Sequence, residues 1–340
     1  VHNPNDIKFL NKSINRLKYE ELFLFMMKIN WLKKNRKKKD GLNRSVNYSE
    51  INNFISTLPF TLTIDQNKVV RQIYDDLVSG NRMNRLLQGD VGSGKTIVAI
   101  IAIYINFLSG YQSALMAPTE ILAKQHYENV KKLFKNFNVN ICLLTGKTKT
   151  KEKKQIYEKI GNGETNVVIG THALFTNDLI YNNLGLVITD EQHRFGVNQR
   201  GNLRNKGLKP DILYMSATPI PRTYALTLYG DMDVSSIKTS PNGRKDIITE
   251  VKSSKEIKSV LENMYSELKK NHQIYVIAPL IEDNDNSTFE NVEQLQVKMN
   301  KAFGKLYNIG VLHGKMTNEE KDIVLEEFSQ NKINILISTT

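Results

Sequence analysis

The stretch GDVGSGKT, Gly89 to Thr96, carries the pattern GxxxxGK[ST]. The apolar run RLLQ precedes it and the helix-like run IVAIIAIYINFL follows. Strand, bare turn and helix in that order are the context in which this pattern binds nucleotide phosphates. Backbone N–H groups from Gly89 through Asp90, Val91, Gly92, Ser93 and Gly94 would cradle the phosphates beside the positive end of the following helix. Side chains would block that approach, which is why the loop is rich in glycine. Lys95 would reach the terminal phosphates, and the Thr96 hydroxyl would hold Mg²⁺. Such a loop alone leaves kinases, transporter ATPases, GTPases and motors open. A second acidic site narrows the choice. LGLVITDEQH runs an apolar strand into Asp190 and Glu191, so the strand end can present Asp190 to the Mg²⁺ shell and Glu191 to an attacking water. A kinase has no use for a water-activating glutamate there, and hydrolysis is favoured. Lys95, Asp190 and Glu191 are the expected catalytic residues.

Positioning these groups requires elements that end on one side of the molecule. From about Leu62 to Asp233, short β-rich runs alternate with helix-length or loop segments: RLLQ, SALMAP, NICLLTG, NVVIGTHAL, LGLVITD and DILYMSAT. That alternation predicts a parallel sheet with helices on both faces. Residues 6–34 carry apolar positions at helical spacing, Leu17, Phe23, Leu24, Met27 and Trp31 among them, before the basic block KKNRKKK and DGLNRS break the pattern. SPNGRKD, residues 240–246, reads as a hinge. After it a strand is expected at IITEV, followed by helices near 255–270, 290–303 and 317–329 alternating with strands at IYVIAP, IGVLH and INILIS. Three segments follow: a helical lead-in and basic linker over 1–45, a first lobe with the nucleotide site over 46–239, and a second lobe over 240–340.

Composition bounds the partners. The chain has 340 residues, 40% of them hydrophobic, enough for a sizeable core. Its longest apolar stretch, Ile97 to Leu108, is interrupted by Asn106 and is shorter than the roughly 18 residues of a membrane span. No membrane crossing is expected. A single cysteine, Cys142, excludes an internal disulfide and any Cys-rich zinc site, and fits a reducing, cytoplasmic compartment. The net charge of +12 admits a polyanionic partner, although a Lys- and Asn-rich composition arises in AT-rich genomes too. The first residue is not Met, and the chain is expected to be a fragment.

With DEQH, several blocks resemble superfamily 2 helicases and translocases, in that family's order. FTLTIDQ resembles its adenine-reading segment, with Gln66 as the base-contacting residue. APTEILA, LTG and IGTHALF resemble its first-lobe nucleic-acid motifs, MSATPIPRT its coupling motif, and LHGKM and ISTT its second-lobe motifs. The wording GDVGSGKT, MAPTEILA, DEQHRFGV and SATPIPRT resembles the branch of bacterial ATPases that remodel stalled replication forks. The alternative branch, transcription-repair coupling translocases, typically spells DEEQRFG and TATPIPRT.

The resemblance implies an α/β fold of two RecA-like parallel-sheet P-loop lobes in tandem, the second incomplete, behind the helical lead-in. It implies ATP and Mg²⁺ as cofactors and branched or duplex DNA as partner, in a monomeric, nucleoid-associated bacterial motor. Thr119, Thr145, Gly146, Thr171 and His172 would bind phosphate oxygens along one edge of the first lobe. His193, Ser216, Thr218 and Arg222 would couple nucleotide state to DNA grip, with a Ser/Thr-rich turn before Pro219 and a solvated arginine as the plain alternatives. The junction-gripping wedge and the arginine-bearing motif of the second lobe would lie outside these 340 residues. A nucleotide-dependent binding module without motor action is the competing reading.

Overall fold

The helical periodicity at the start of the chain forms one element, α1 (Ile7–Lys34), whose Leu17, Phe23, Leu24, Met27 and Trp31 side chains are exposed. The computed structural model describes residues 6–34, 41–176, 178–190, 210–218, 232–239, 247–278 and 292–339. It divides into two units, Val1–Arg244 and Lys245–Thr340. The hinge expected at 240–246 lies outside the described residues.

In the larger unit, α2 (Tyr48–Ser56) and α3 (Ile64–Val78) lead into the sheet. Thr63 and Gln66 close a reciprocal capping box that fixes where α3 begins. Then come β1 (Asn84–Gly89), α4 (Lys95–Leu108), β2 (Gln112–Met116), α5 (Glu120–Leu133), β3 (Ile141–Leu144), α6 (Thr150–Gly161) and β4 (Val167–Gly170). A short 3₁₀ turn at His172–Phe175 precedes β5 (Leu184–Thr189), β6 (Asp211–Ser216) and β7 (Asp233–Ile237). The strands form one seven-stranded sheet in the order β3-β4-β2-β5-β6-β1-β7. Every pairing in it is parallel.

β1, β2, β5 and β6 are buried along their whole length, which accounts for the apolar runs of β5 and β6. α4 is buried without interruption from Ile97 to Asn106, as a helix apolar all round must be. Its one polar intruder is satisfied: Asn106 Nδ2 donates to Tyr111 O, Gln112 O and Ser113 Oγ. Burial pushes the Cys142 thiol up to about 12, which makes it inert packing.

Asn106 Oδ1 accepts from Arg44, in the segment read from sequence as linker. Arg44 is instead buried within the lobe. Its Nη1 donates to Asp211 Oδ2 at 2.6 Å and to Leu77 O, and its Nη2 donates to Gly185 O. One guanidinium thus joins the end of α3, the end of α4 and the starts of β5 and β6. The linker's polar spelling conceals a tertiary anchor.

β7 was not expected from the sequence. Its two serines spoil the apolar pattern, but Ser235 Oγ accepts from Arg85 and donates to Gln72 Oε1, so the polar edge strand is satisfied.

The smaller unit contains α7 (Ile257–Lys269), β8 (Ile274–Ala278), α8 (Val292–Phe303), β9 (Ile309–Leu312), α9 (Asn318–Ser329) and β10 (Ile335–Thr339). Its parallel sheet runs β8-β10-β9 over a core that includes Leu268, Phe303, Ile335 and Ile337. The strand expected at IITEV is not formed. Ile247, Ile248 and Val251 are exposed, and the segment pairs with no strand among the described residues. β-branched composition does not make a strand without an edge to pair with.

Removing the Arg44 charge leaves Asp211 buried and unpaired. Arg44→Met should cost about 3–5 kcal/mol in urea unfolding, and Arg44→Met with Asp211→Leu should recover most of it. A single-variant cost inside the error of the fit would contradict this role.

Candidate functional site

A parallel sheet sends every strand's C-terminal end to one edge, and the loops at that edge carry the expected chemistry. The loop after β1 is the one expected to cradle phosphates. Gly92 and Gly94 hold φ of +79° and +86°, the left-handed region that side chains disfavour. A Cβ on Gly94 would lie 2.2 Å from Gln66 Nε2, and one on Gly89 would lie 2.6 Å from Ser93 Oγ. Gly94 caps α4 without a side-chain hydrogen bond, so the first-turn N–H groups of that helix face the loop. Lys95 Nζ donates to Gly89 O at 2.6 Å and to Asp90 O at 2.8 Å, folding over the same turn. Ser93 Oγ is buried with no hydrogen-bond partner. A donor-rich, left-handed cradle with a lysine over it fits a nucleotide's phosphates.

Gln66 is buried and its amide is engaged at both ends. Oε1 accepts from Thr63 N–H, while Nε2 donates to Ser93 O at 2.8 Å. The residue expected to read adenine therefore also props the phosphate loop. Beside it, a cavity of about 440 Å³ is lined by Phe60, Gln66, Gly94, Thr96, Ile97 and Lys132. Phe60 opens the FTLTIDQ segment and is 48% exposed, a flat face next to the loop. Sequence reasoning passed over it because a lone phenylalanine reads as core.

Asp190 stands just beyond β5, its N–H donating to Met116 O at 2.9 Å. Its Oδ2 meets His126 Nε2 at 3.0 Å. Glu191, His193 and Arg222 lie outside the described residues. Ser216 ends β6 and Thr218 lies just beyond it, with their hydroxyls 2.9 Å apart, and Thr218 O accepts from Gln88 Nε2 near the end of β1. The segment expected to couple thus touches the strand that leads into the glycine-rich loop.

The expected DNA contacts fall on the loops after β2, β4 and β3. Thr119 caps α5, accepting from Leu122 N–H. The next residue, Glu120, accepts from Lys147 N–H, tying that helix start to the loop holding Thr145 and Gly146. Thr119, Gly146 and His172 are exposed, whereas Thr145 and Thr171 are buried. Thr145 N–H bonds Thr148 Oγ1, and Thr171 Oγ1 has no partner. The two buried threonines shape the edge more than they present it.

The paired parallel sheets and this edge define the class: a P-loop protein with the two-part helicase fold. The DEAD/DEAH box helicase model matches residues 63–226, and the helicase conserved C-terminal domain model matches residues 255–340. The chain is 48% identical over 342 aligned residues to the ATP-dependent DNA helicase RecG of Staphylococcus epidermidis, covering 100% of this chain and 50% of that protein. With the protein of the same name from Bacillus subtilis it shares 46% over 341 residues, again 100% of this chain and 50% of the relative. A solved structure of RecG bound to a three-way DNA junction superposes with a TM-score of 0.82 at 41% identity, covering 99% of this chain and 44% of that one. Along its whole length the chain is similar to these RecG proteins. It spans about half the length of the curated relatives it matches.

The two strained glycines differ in surroundings, because a Cβ on Gly92 would meet nothing within 4 Å. Gly92→Ala should cost about 1–2 kcal/mol of stability from the left-handed backbone alone. Gly94→Ala should cost more and weaken ATP binding, since its methyl group displaces Gln66. Equal effects in denaturant and nucleotide titrations would contradict the Gln66 prop.

Proposed function

We propose that this chain is the motor region of an ATP-driven DNA translocase of RecG type, acting on branched or duplex DNA at stalled replication forks in the bacterial cytoplasm. The observation that carries the reading is the shared edge: the phosphate loop, Asp190, the coupling segment and the expected DNA contacts all follow strand ends of one parallel sheet. The high identity to proteins named ATP-dependent DNA helicase RecG supports it over the full chain.

In this reading the loop N–H groups bind the phosphates, and Lys95 leaves the Gly89 and Asp90 carbonyls for the terminal phosphoryl oxygens. Thr96 and Asp190 would hold Mg²⁺, which supplies charge neutralisation at the transferring phosphoryl group. The donor set fits that ion: a hydroxyl directly after the lysine and a carboxylate just beyond β5. Glu191 accepts a proton from the attacking water. Gln66 and Phe60 hold the base, Gln66 by hydrogen bonding and Phe60 by its ring face. Ser216 and Thr218, with His193 and Arg222, pass the nucleotide state to the DNA edge. There Thr119, Gly146 and His172 contact phosphate oxygens above Thr145 and Thr171, giving grip without sequence readout.

Lys95→Ala should weaken ATP–Mg²⁺ binding about 10- to 100-fold, the worth of charge-assisted hydrogen bonds to phosphate. In the unaltered chain duplex affinity should fall about tenfold or more between 50 and 200 mM salt. Salt-independent binding would reduce the protein to a nucleotide-binding module.

A further inference from the structure

His126 is the residue at the edge that neither the motif pattern nor the chemistry above employs. It lies on α5 and is 6% exposed. A histidine buried in a helix must place two ring nitrogens. Nε2 is 3.0 Å from Asp190 Oδ2, while Nδ1 is buried with no partner. A proton on Nε2 lets that nitrogen donate to the carboxylate. An apolar side chain would fill the same space without stranding a nitrogen, so packing does not account for an imidazole here. Its service to Asp190 does. The Asp190 backbone is held by its bond to Met116 O, and the imidazole bond constrains the direction of the carboxylate.

We propose that His126 is a positioning residue: it aims the Asp190 carboxylate at the metal shell of the bound nucleotide, so that the Mg²⁺-dependent part of nucleotide affinity depends on a side chain of α5. This rests on the reading of Asp190 as an acid of that shell. The same helix starts at the Thr119 cap, seven residues or about 10 Å away, so the donor to the metal acid and a residue of the expected DNA edge ride on one rigid element. Hydrogen-bond partners of metal-binding carboxylates typically account for about 10- to 100-fold in metal affinity.

The test is a titration of a fluorescent ATP analogue into the chain, in EDTA and across a Mg²⁺ series, with thermal unfolding recorded for each variant. His126→Phe keeps a buried ring and removes the donor. His126→Gln carries an amide N–H near the Nε2 position, whereas the shorter His126→Asn does not reach it. Affinity in EDTA should match the unaltered chain in all three. The Mg²⁺ concentration needed for half of the affinity gain should rise about 10- to 100-fold in the Phe and Asn variants and return to near the original value in the Gln variant. Unchanged Mg²⁺ dependence in folded Phe or Asn variants, or a Gln variant no better than Asn, overturns the role of His126. If Phe does not fold, the Gln and Asn pair decides. Failure of the underlying reading looks different: the unaltered chain would gain no affinity from Mg²⁺, or Lys95→Ala would bind like it, and the proposal would fall with that reading.

Discussion

Everything at the candidate site depends on one constraint, that all the strand pairings in the larger sheet are parallel. Parallel neighbours force a crossover after each strand, and strand ends then gather on a single edge. The sheet order does the rest. β3, β4 and β2 carry the loops expected to meet DNA, β1 carries the phosphate loop, and β5 and β6 stand between them with Asp190 and the Ser216–Thr218 pair. The segments expected to meet nucleotide and nucleic acid thereby follow separate strands on a common edge, with Asp190 and the Ser216–Thr218 pair between them. At the opposite edge, Arg44 ties the strand starts of β5 and β6 to the ends of α3 and α4.

Within that frame, the hydrogen bonds around the loop link elements that the chain keeps far apart. Gln66 is shared between the cap of α3 and the glycine-rich loop, so the two segments proposed to hold base and phosphates are tied to each other. Gln88 joins the end of β1 to Thr218. His126 joins α5 to Asp190. Each bond is worth little alone, but together they tie the loop after β1 to α3, the end of β1 to Thr218, and Asp190 to α5. A change at one such segment therefore alters the geometry offered to the others, as coupling between two ligands requires.

How much of this the sequence discloses follows from locality. The phosphate loop is legible because its glycines, lysine and threonine are consecutive and their roles are steric and electrostatic at short range. The buried strands are legible because apolar runs leave few other fates. Arg44 is not: a polar stretch reads as linker, and its burial depends on meeting Asp211, Asn106 and two carbonyls from distant segments. His126 and Phe60 are hidden for the same reason, since a histidine inside a helix and a phenylalanine before one have ordinary explanations until their neighbours are known. β7 shows a strand sustained by side-chain partners despite its polar spelling, and IITEV shows an apolar, β-branched segment that pairs with nothing among the described residues. Pairing decides strands, and pairing is not local.

The central claim is that nucleotide and DNA act on one edge and feel each other. The most direct measurement is a closed thermodynamic cycle: duplex affinity with and without a non-hydrolysable ATP analogue and Mg²⁺, and analogue affinity with and without saturating duplex. The account predicts that each ligand changes the affinity of the other by the same factor, of about 5- to 150-fold, as linkage demands of coupled sites. Affinities that stay the same whichever ligand is already bound would contradict it.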